Sequence, residues 1–164
     1  MNAAAKERLA GKTHAMTTPT DRTIRVERVF DAPREKVWRA HLEADLVAQW
    51  WGRGRPTIVE KLEVQRGGYW RFVVPGDHGP QGFGGRFREV KPMERFAWSF
   101  EWDGMPGHVG IETYEFTDLG DGKTRLVCTS LFHTADERDG LLSSPMEVGI
   151  TESYSALDAL LARL

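Results

Sequence analysis

The chain has one cysteine, Cys128, in 164 residues. No internal disulfide can form, so burial must hold the fold together. That thiol falls in a strand-like stretch and reads as a buried, inert group rather than a nucleophile. A reducing, cytoplasmic setting is the simplest expectation. An excess of charge of either sign is also missing: 22 Lys and Arg against 24 Asp and Glu leave a net −2. No general attraction to nucleic acid or an anionic membrane follows, and the basic pair Arg53-Gly54-Arg55 is too narrow for a nucleic-acid surface. No apolar run approaches the roughly 18 residues of a membrane span, so no membrane insertion is expected.

Recognisable chemical motifs are equally scarce. The five histidines, His14, His41, His78, His108 and His133, are dispersed, with no His-x-x-x-His or Cys-x-x-Cys spacing. No metal and no cofactor are expected. There is no Gly-x-Ser-x-Gly elbow. Gly82-Phe83-Gly84-Gly85 fails as a dinucleotide fingerprint because Phe87 stands where glycine is needed. Gly11-Lys12-Thr13 matches the end of a phosphate-binding loop, but Lys6 occupies its first glycine position and no strand precedes it. Met1 to Thr20 lacks the apolar core of a secretory signal and reads as a disordered lead. Residues 21–164 then read as a single domain, long enough for a sizeable core.

What is present is patterning. Thr23 to Phe30 alternates and is rich in β-formers, so a strand is expected. Asp31-Ala32-Pro33 stops it and opens a helix over Arg34–His41, followed by a second short helix over Ala44–Trp51. From Thr57 the period changes to two. Strands are expected over Thr57–Val64, Tyr69–Val74, Gly84–Val90, Arg95–Trp102, Gly110–Thr117 and Lys123–His133, with Gly67-Gly68 as a hairpin signal. Ala135–Leu142 reads as a short helical approach to a long helix over Pro145–Leu164. Ser144, Pro145 and Glu147 make a capping-box signature at its start.

That last helix is amphipathic. Met146, Gly149, Ile150, Ser153, Tyr154, Leu157, Leu160, Leu161 and Leu164 share one face at about 100° per residue. Its C-terminal half is leucine, whereas its N-terminal half carries Gly149 and Ser153. Small residues there either bring the helix close to a sheet or leave a space beside it. A meander of antiparallel strands needs one face covered, and only this helix is large enough to cover it.

Several motifs together resemble one family. Phe30-Asp31-Ala32-Pro33, Val37-Trp38, Gln49-Trp50-Trp51-Gly52, Gly67-Gly68, Gly85-Arg86-Phe87, Arg95-Phe96 and Gly120-Asp121-Gly122-Lys123-Thr124 resemble the activator-of-Hsp90-ATPase-homologue-1-like family. That family belongs to the START-like, or Bet v 1-like, helix-grip superfamily. The resemblance implies an α+β helix-grip fold, with a curved antiparallel sheet of six to seven strands around the C-terminal helix. It also implies a cavity between helix and sheet and binding of an apolar small molecule such as a lipid, polyketide or aromatic metabolite. It fixes no single reaction, since fold is not function.

Six tryptophans and eight phenylalanines supply material for such a cavity. The residues expected to line it are Trp51, Trp70, Arg71, Phe87, Trp98, Phe100, Glu112, Tyr114, Ser130, Met146, Gly149, Ser153, Tyr154 and Leu157. Trp50 and Trp51 cannot point the same way, so one should plug the core and the other edge the cavity. Arg71 and Glu112 are either solvated on an outer face or buried and paired. Two other functions stay open. One is a polyketide cyclase- or hydrolase-type enzyme using Glu112, His133 or Tyr154 as acid–base groups. The other is a protein-interaction module with a chaperone partner, as the family name implies.

Overall fold

The computed structural model describes residues 14–164. Strands β1 (Ala15–Thr17) and β2 (Thr23–Phe30) lead to helices α1 (Arg34–Leu42) and α2 (Ala44–Val47). Six strands follow: β3 (Ile58–Leu62), β4 (Tyr69–Val74), β5 (Gln81–Lys91), β6 (Arg95–Trp102), β7 (Gly110–Gly120) and β8 (Lys123–Leu131). Helices α3 (Ala135–Leu142) and α4 (Met146–Ala162) complete the chain. All eight strands join one sheet in the order β1-β2-β8-β7-β6-β5-β4-β3, with every neighbouring pair antiparallel.

The expected six to seven strands become eight through β1. Ala15, Met16 and Thr17 pair with Glu27, Val26 and Arg25. The lead expected to be disordered to Thr20 is therefore ordered from His14 onward, and its first thirteen residues lie outside the described region. A three-residue edge strand leaves no periodicity to read. Its backbone is held by β2, not by its own sequence.

The expected capping box does not form either. Pro145 occupies the cap of α4 without a side-chain bond. The Ser144 hydroxyl donates to the Leu141 carbonyl, and Glu147 instead approaches His14 Nε2 at 3.3 Å. A tight α3–α4 junction turns Ser144 back on the preceding helix. By contrast, Thr134 caps α3 by accepting from the Glu137 N–H at 3.1 Å.

One face of the sheet is covered. Its residues alternate along each strand: Ile24, Val26, Arg28 and Phe30 on β2; Trp70, Phe72 and Val74 on β4; Phe96, Trp98 and Phe100 on β6; Glu112, Tyr114 and Phe116 on β7. The core they form with α1, α2 and α4 is aromatic-rich, and Phe30, Phe72, Phe96, Val37 and Leu157 have no accessible surface. β-Bulges between Val59 and Lys61, Phe87 and Glu89, and Asp118 and Gly120 bend the strands. Gly85 sits where β6 crosses closely: a Cβ there would lie 2.0 Å from the Ser99 carbonyl oxygen.

Candidate functional site

The two halves of α4 meet the sheet differently. Leu157, Leu160 and Leu161 are buried against the core. Towards the N-terminus, a cavity of about 500 Å³ opens between the helix and the sheet. Trp51, Phe83, Phe100 and Tyr114 wall it from the loop and sheet side, and Met146, Gly149, Ile150, Ser153 and Tyr154 from the helix. Its rim is polar: Gly52, Arg53 and Arg55 on one side, and Pro75, Gly76, Asp77 and Gln81 on the other. Gly149 is not there for close packing, because an added Cβ would meet nothing nearer than Arg53 Cδ at 3.8 Å.

The Trp50–Trp51 pair divides its work. The Trp50 indole is 4 % exposed and donates to the Ala40 carbonyl at 2.8 Å, anchoring the end of α2 to α1. Trp51 is half-buried and packs edge-on against Trp70, Phe72 and Phe83, at centroid distances of 6.2, 5.1 and 5.2 Å. The loop after it is pinned to α4. The Ser153 hydroxyl accepts from the Arg53 N–H and donates to the Trp51 carbonyl, both at 3.1 Å. Arg53 holds a left-handed backbone, φ 60°, and its side chain pairs with Glu152 at 2.7 Å. A non-glycine residue at positive φ persists only where its surroundings fix it, and such residues gather at binding sites.

Deeper in, a polar cluster occupies the inner face. Trp98, Glu112 and Ser130 stand opposite one another across β6, β7 and β8. Glu112 Oε1 accepts from the Trp98 indole at 2.8 Å and the Tyr114 hydroxyl at 3.1 Å, and Oε2 accepts from Ser130 at 3.4 Å. Burial pushes the Glu112 carboxyl above the usual carboxylate range, although these three donors pull the other way. The register puts Glu112 on the covered face of the sheet, opposite Trp98 and Ser130. Burial also raises the Tyr114 and Tyr154 phenols and the Cys128 thiol, so all three stay neutral near pH 7.

Of the residues expected around a cavity, Trp51, Phe100, Tyr114, Met146, Gly149, Ser153 and Tyr154 line it. Trp70, Phe87, Trp98 and Leu157 instead belong to the packed core, where Trp70 stacks on Trp98 at 4.0 Å. Glu112 and Ser130 form the cluster behind Tyr114. Arg71 must be corrected. It lies on the outer face, bound to Asp103 at 2.6 Å and Glu60 at 3.0 Å, because the β4 alternation that turns Trp70 and Phe72 inward turns Arg71 out. His133 is exposed beyond the end of β8 and takes no part in the cluster.

Sequence reasoning passed over Arg55, Asp77, Gln81 and Phe83 as cavity residues. Three of these lie in or beside a loop whose position no periodicity reports. Phe83 was hidden by the glycines around it. Buried Arg28 was also missed, although the alternation of Ile24, Val26 and Phe30 places it inward. It pairs with Asp158 and lies over the Phe30 and Tyr154 rings at 4.8 and 5.4 Å. Among the described residues, no three His, Cys, Asp or Glu side chains gather in a metal-binding set. Nor is any helix there long and apolar enough to cross a membrane.

An open antiparallel sheet, two short helices after its second strand and one long C-terminal helix above a cavity define a helix-grip protein. The model of the activator of Hsp90 ATPase homologue 1-like family matches residues 31–162, and the chain belongs to that family. A crystal structure of a Rhodobacter sphaeroides protein is similar at 27 % identity and TM-score 0.84, covering 92 % of this chain and 99 % of that one. A Chromobacterium violaceum protein is also 27 % identical, with TM-score 0.72 over 87 % of this chain and 98 % of that one. An Arthrobacter aurescens protein shares the fold at 19 % identity, TM-score 0.81 and 92 % coverage of each chain. Comparison with curated proteins gives no match.

Proposed function

We propose that this chain binds a small apolar or aromatic molecule, such as a lipid or polyketide-like metabolite, in the cavity under the N-terminal half of α4. The observation that carries this reading is the cavity itself: about 500 Å³, aromatic-walled, with polar groups gathered at its rim. That volume and that distribution of polarity are those of small-molecule sites. The ligand-binding role usual in this superfamily agrees with it. A bicyclic aromatic body burying about 200 Å² would gain roughly 5 kcal/mol gross. Association costs consume much of that, so polar contacts decide whether affinity passes beyond the millimolar range.

Amide chemical-shift mapping with fatty acids, flavonoids and polyketide-like aromatics tests this. Saturable shifts at Gly149, Ile150, Ser153 and the Trp51 indole are expected. A set of titrations in which none of these moves would overturn the reading.

One observation favours a second reading, acid–base chemistry on the bound molecule. The Glu112 carboxyl is hydrogen-bonded to the hydroxyl of Tyr114, which lines the cavity, and a carboxyl whose pKa burial raises suits a general acid. Turnover that disappears in Glu112→Gln while binding survives would support it. Binding without turnover across the same compounds would count against it.

A further inference from the structure

The cavity rim holds two arginines from one short loop, and they are not equivalent. Arg53 is committed: its guanidinium is tied to Glu152 and its backbone to Ser153. Arg55 is not. Its Nη1 makes one long bond to the Pro75 carbonyl at 3.4 Å and comes within 3.7 Å of Asp77, beyond hydrogen-bond reach. Its Nε and Nη2 make no hydrogen bond among the described residues, although its charge also acts on the Glu152 carboxylate, as that of Arg53 does on Asp77. Asp77 is 84 % exposed, so it offers Arg55 a loose, solvent-screened counter-charge. The walls away from the rim are largely aromatic, formed by Trp51, Phe83, Phe100 and Tyr114, whose hydroxyl is taken up by Glu112.

We propose that Arg55 is the recognition handle for an anionic head group, and that the molecule taken by this cavity is an apolar or aromatic carboxylate. This rests on the ligand-binding reading above. The planar guanidinium fork matches a carboxylate in a two-bond geometry. The aromatic walls take the hydrocarbon body, and the head group stays at the mouth, where its residual charge remains hydrated. The rigid loop supplies preorganisation, because Ser153 and Glu152 fix the neighbouring residue before any ligand arrives. Asp77 acts as a weak placeholder that the carboxylate displaces.

Two matched pairs test this at pH 7 by calorimetric titration: 2-naphthoate against 2-naphthalenemethanol, and octanoate against octanol. Each acid is expected to bind at least tenfold more tightly than its alcohol. Arg55→Gln should bring acid and alcohol within about threefold of each other while leaving the alcohol's affinity unchanged. Asp77→Asn should tighten the acids about threefold. The Arg55 side chain is half exposed and makes only the long Pro75 bond and the loose Asp77 contact, so its loss should leave the fold intact, as an unchanged amide spectrum would show. If acid and alcohol bind equally and Arg55→Gln changes neither, the anionic handle is wrong while the apolar cavity stands. If no probe binds, both readings fail together.

Discussion

The two halves of α4 make the instructive comparison. From Leu157 onward the helix is sealed: Leu157 and Leu160 are almost wholly buried, and polar ties flank them. Asp158 meets buried Arg28, the Leu164 carbonyl accepts from Lys36 at 2.6 Å, and Arg163 donates to Gln49 at 3.0 Å. From Met146 to Ser153 the same helix faces a cavity and is held mainly from its margins, by Arg53 on Ser153 and Glu152 and by Glu147 near His14. One helix thus serves two purposes. Its leucine half stabilises the fold, and its small-residue half gives up packing for space.

The largest expected effect tests the sealed half. Leu157→Ala should cost about 2–5 kcal/mol, because a fully buried leucine leaves both lost transfer energy and a void. Ile150→Ala, on the open half, should cost under about 1 kcal/mol, since the cavity already lies beside it. Urea unfolding of both variants measures the contrast. Equal losses would mean that the two halves do not differ.

Acid should also weaken the sealed core. His41 is buried among Trp50, Phe96, Tyr114 and Phe116, with Nδ1 on the Val37 carbonyl and no partner for Nε2 among the described residues. Burial lowers its pKa from 6.5 to about 4, against the pull of the Val37 carbonyl. Between these values the unfolded chain binds the proton and the folded chain does not. Stability therefore falls as pH drops from 6.5 towards about 4, by roughly 3 kcal/mol over the window. Glu112 has the opposite sign: its raised pKa makes stability fall as pH rises above the ordinary carboxylate value. The His41 part is isolated by comparing the wild-type protein with His41→Phe across this range, where the variant should lose the acid-side slope. Parallel curves would assign the slope to other groups.

Much of this division was legible in the sequence, because it rests on local period. Strands Thr23–Phe30, Tyr69–Val74 and Arg95–Trp102 have their expected ends, since alternation and turn residues mark them without reference to neighbours. The contrast between leucines and Gly149 with Ser153 was visible on the helical wheel. Which way it resolved was not, because the sequence does not say how near the sheet comes. β5 starts at Gln81 rather than Gly84 because its glycines answer to close neighbours, Gly82 to the Arg71–Asp103 pair, Gly84 to the Trp70 carbonyl of β4 and Gly85 to the Ser99 carbonyl of β6, not to β-propensity. The rim was hardest to read. Arg55 and Asp77 are brought together by loops, whose relation is set by the pinning of residues 51–53 onto α4, the Gly52–Arg55 bridge and the Arg55 bond to the Pro75 carbonyl.

The smallest effect is the sharpest test of the open half. Gly149 is the fourth residue of α4, and glycine within a helix costs about 0.5–1 kcal/mol relative to alanine. A methyl group there meets only ordinary contact with the flexible Arg53 side chain. Gly149→Ala should therefore stabilise the protein by about 0.5–1 kcal/mol and leave naphthoate binding within twofold. Gly149→Phe should change stability by under about 1 kcal/mol, since the ring can enter existing space, yet it should abolish probe binding by filling that space. The pair separates the two roles a small residue can have on a core-facing stripe. Had Gly149 been kept for close packing, both substitutions would destabilise, and phenylalanine far more than alanine. Stabilisation by alanine together with blockade by phenylalanine means that the missing side chain is there to leave room for a ligand.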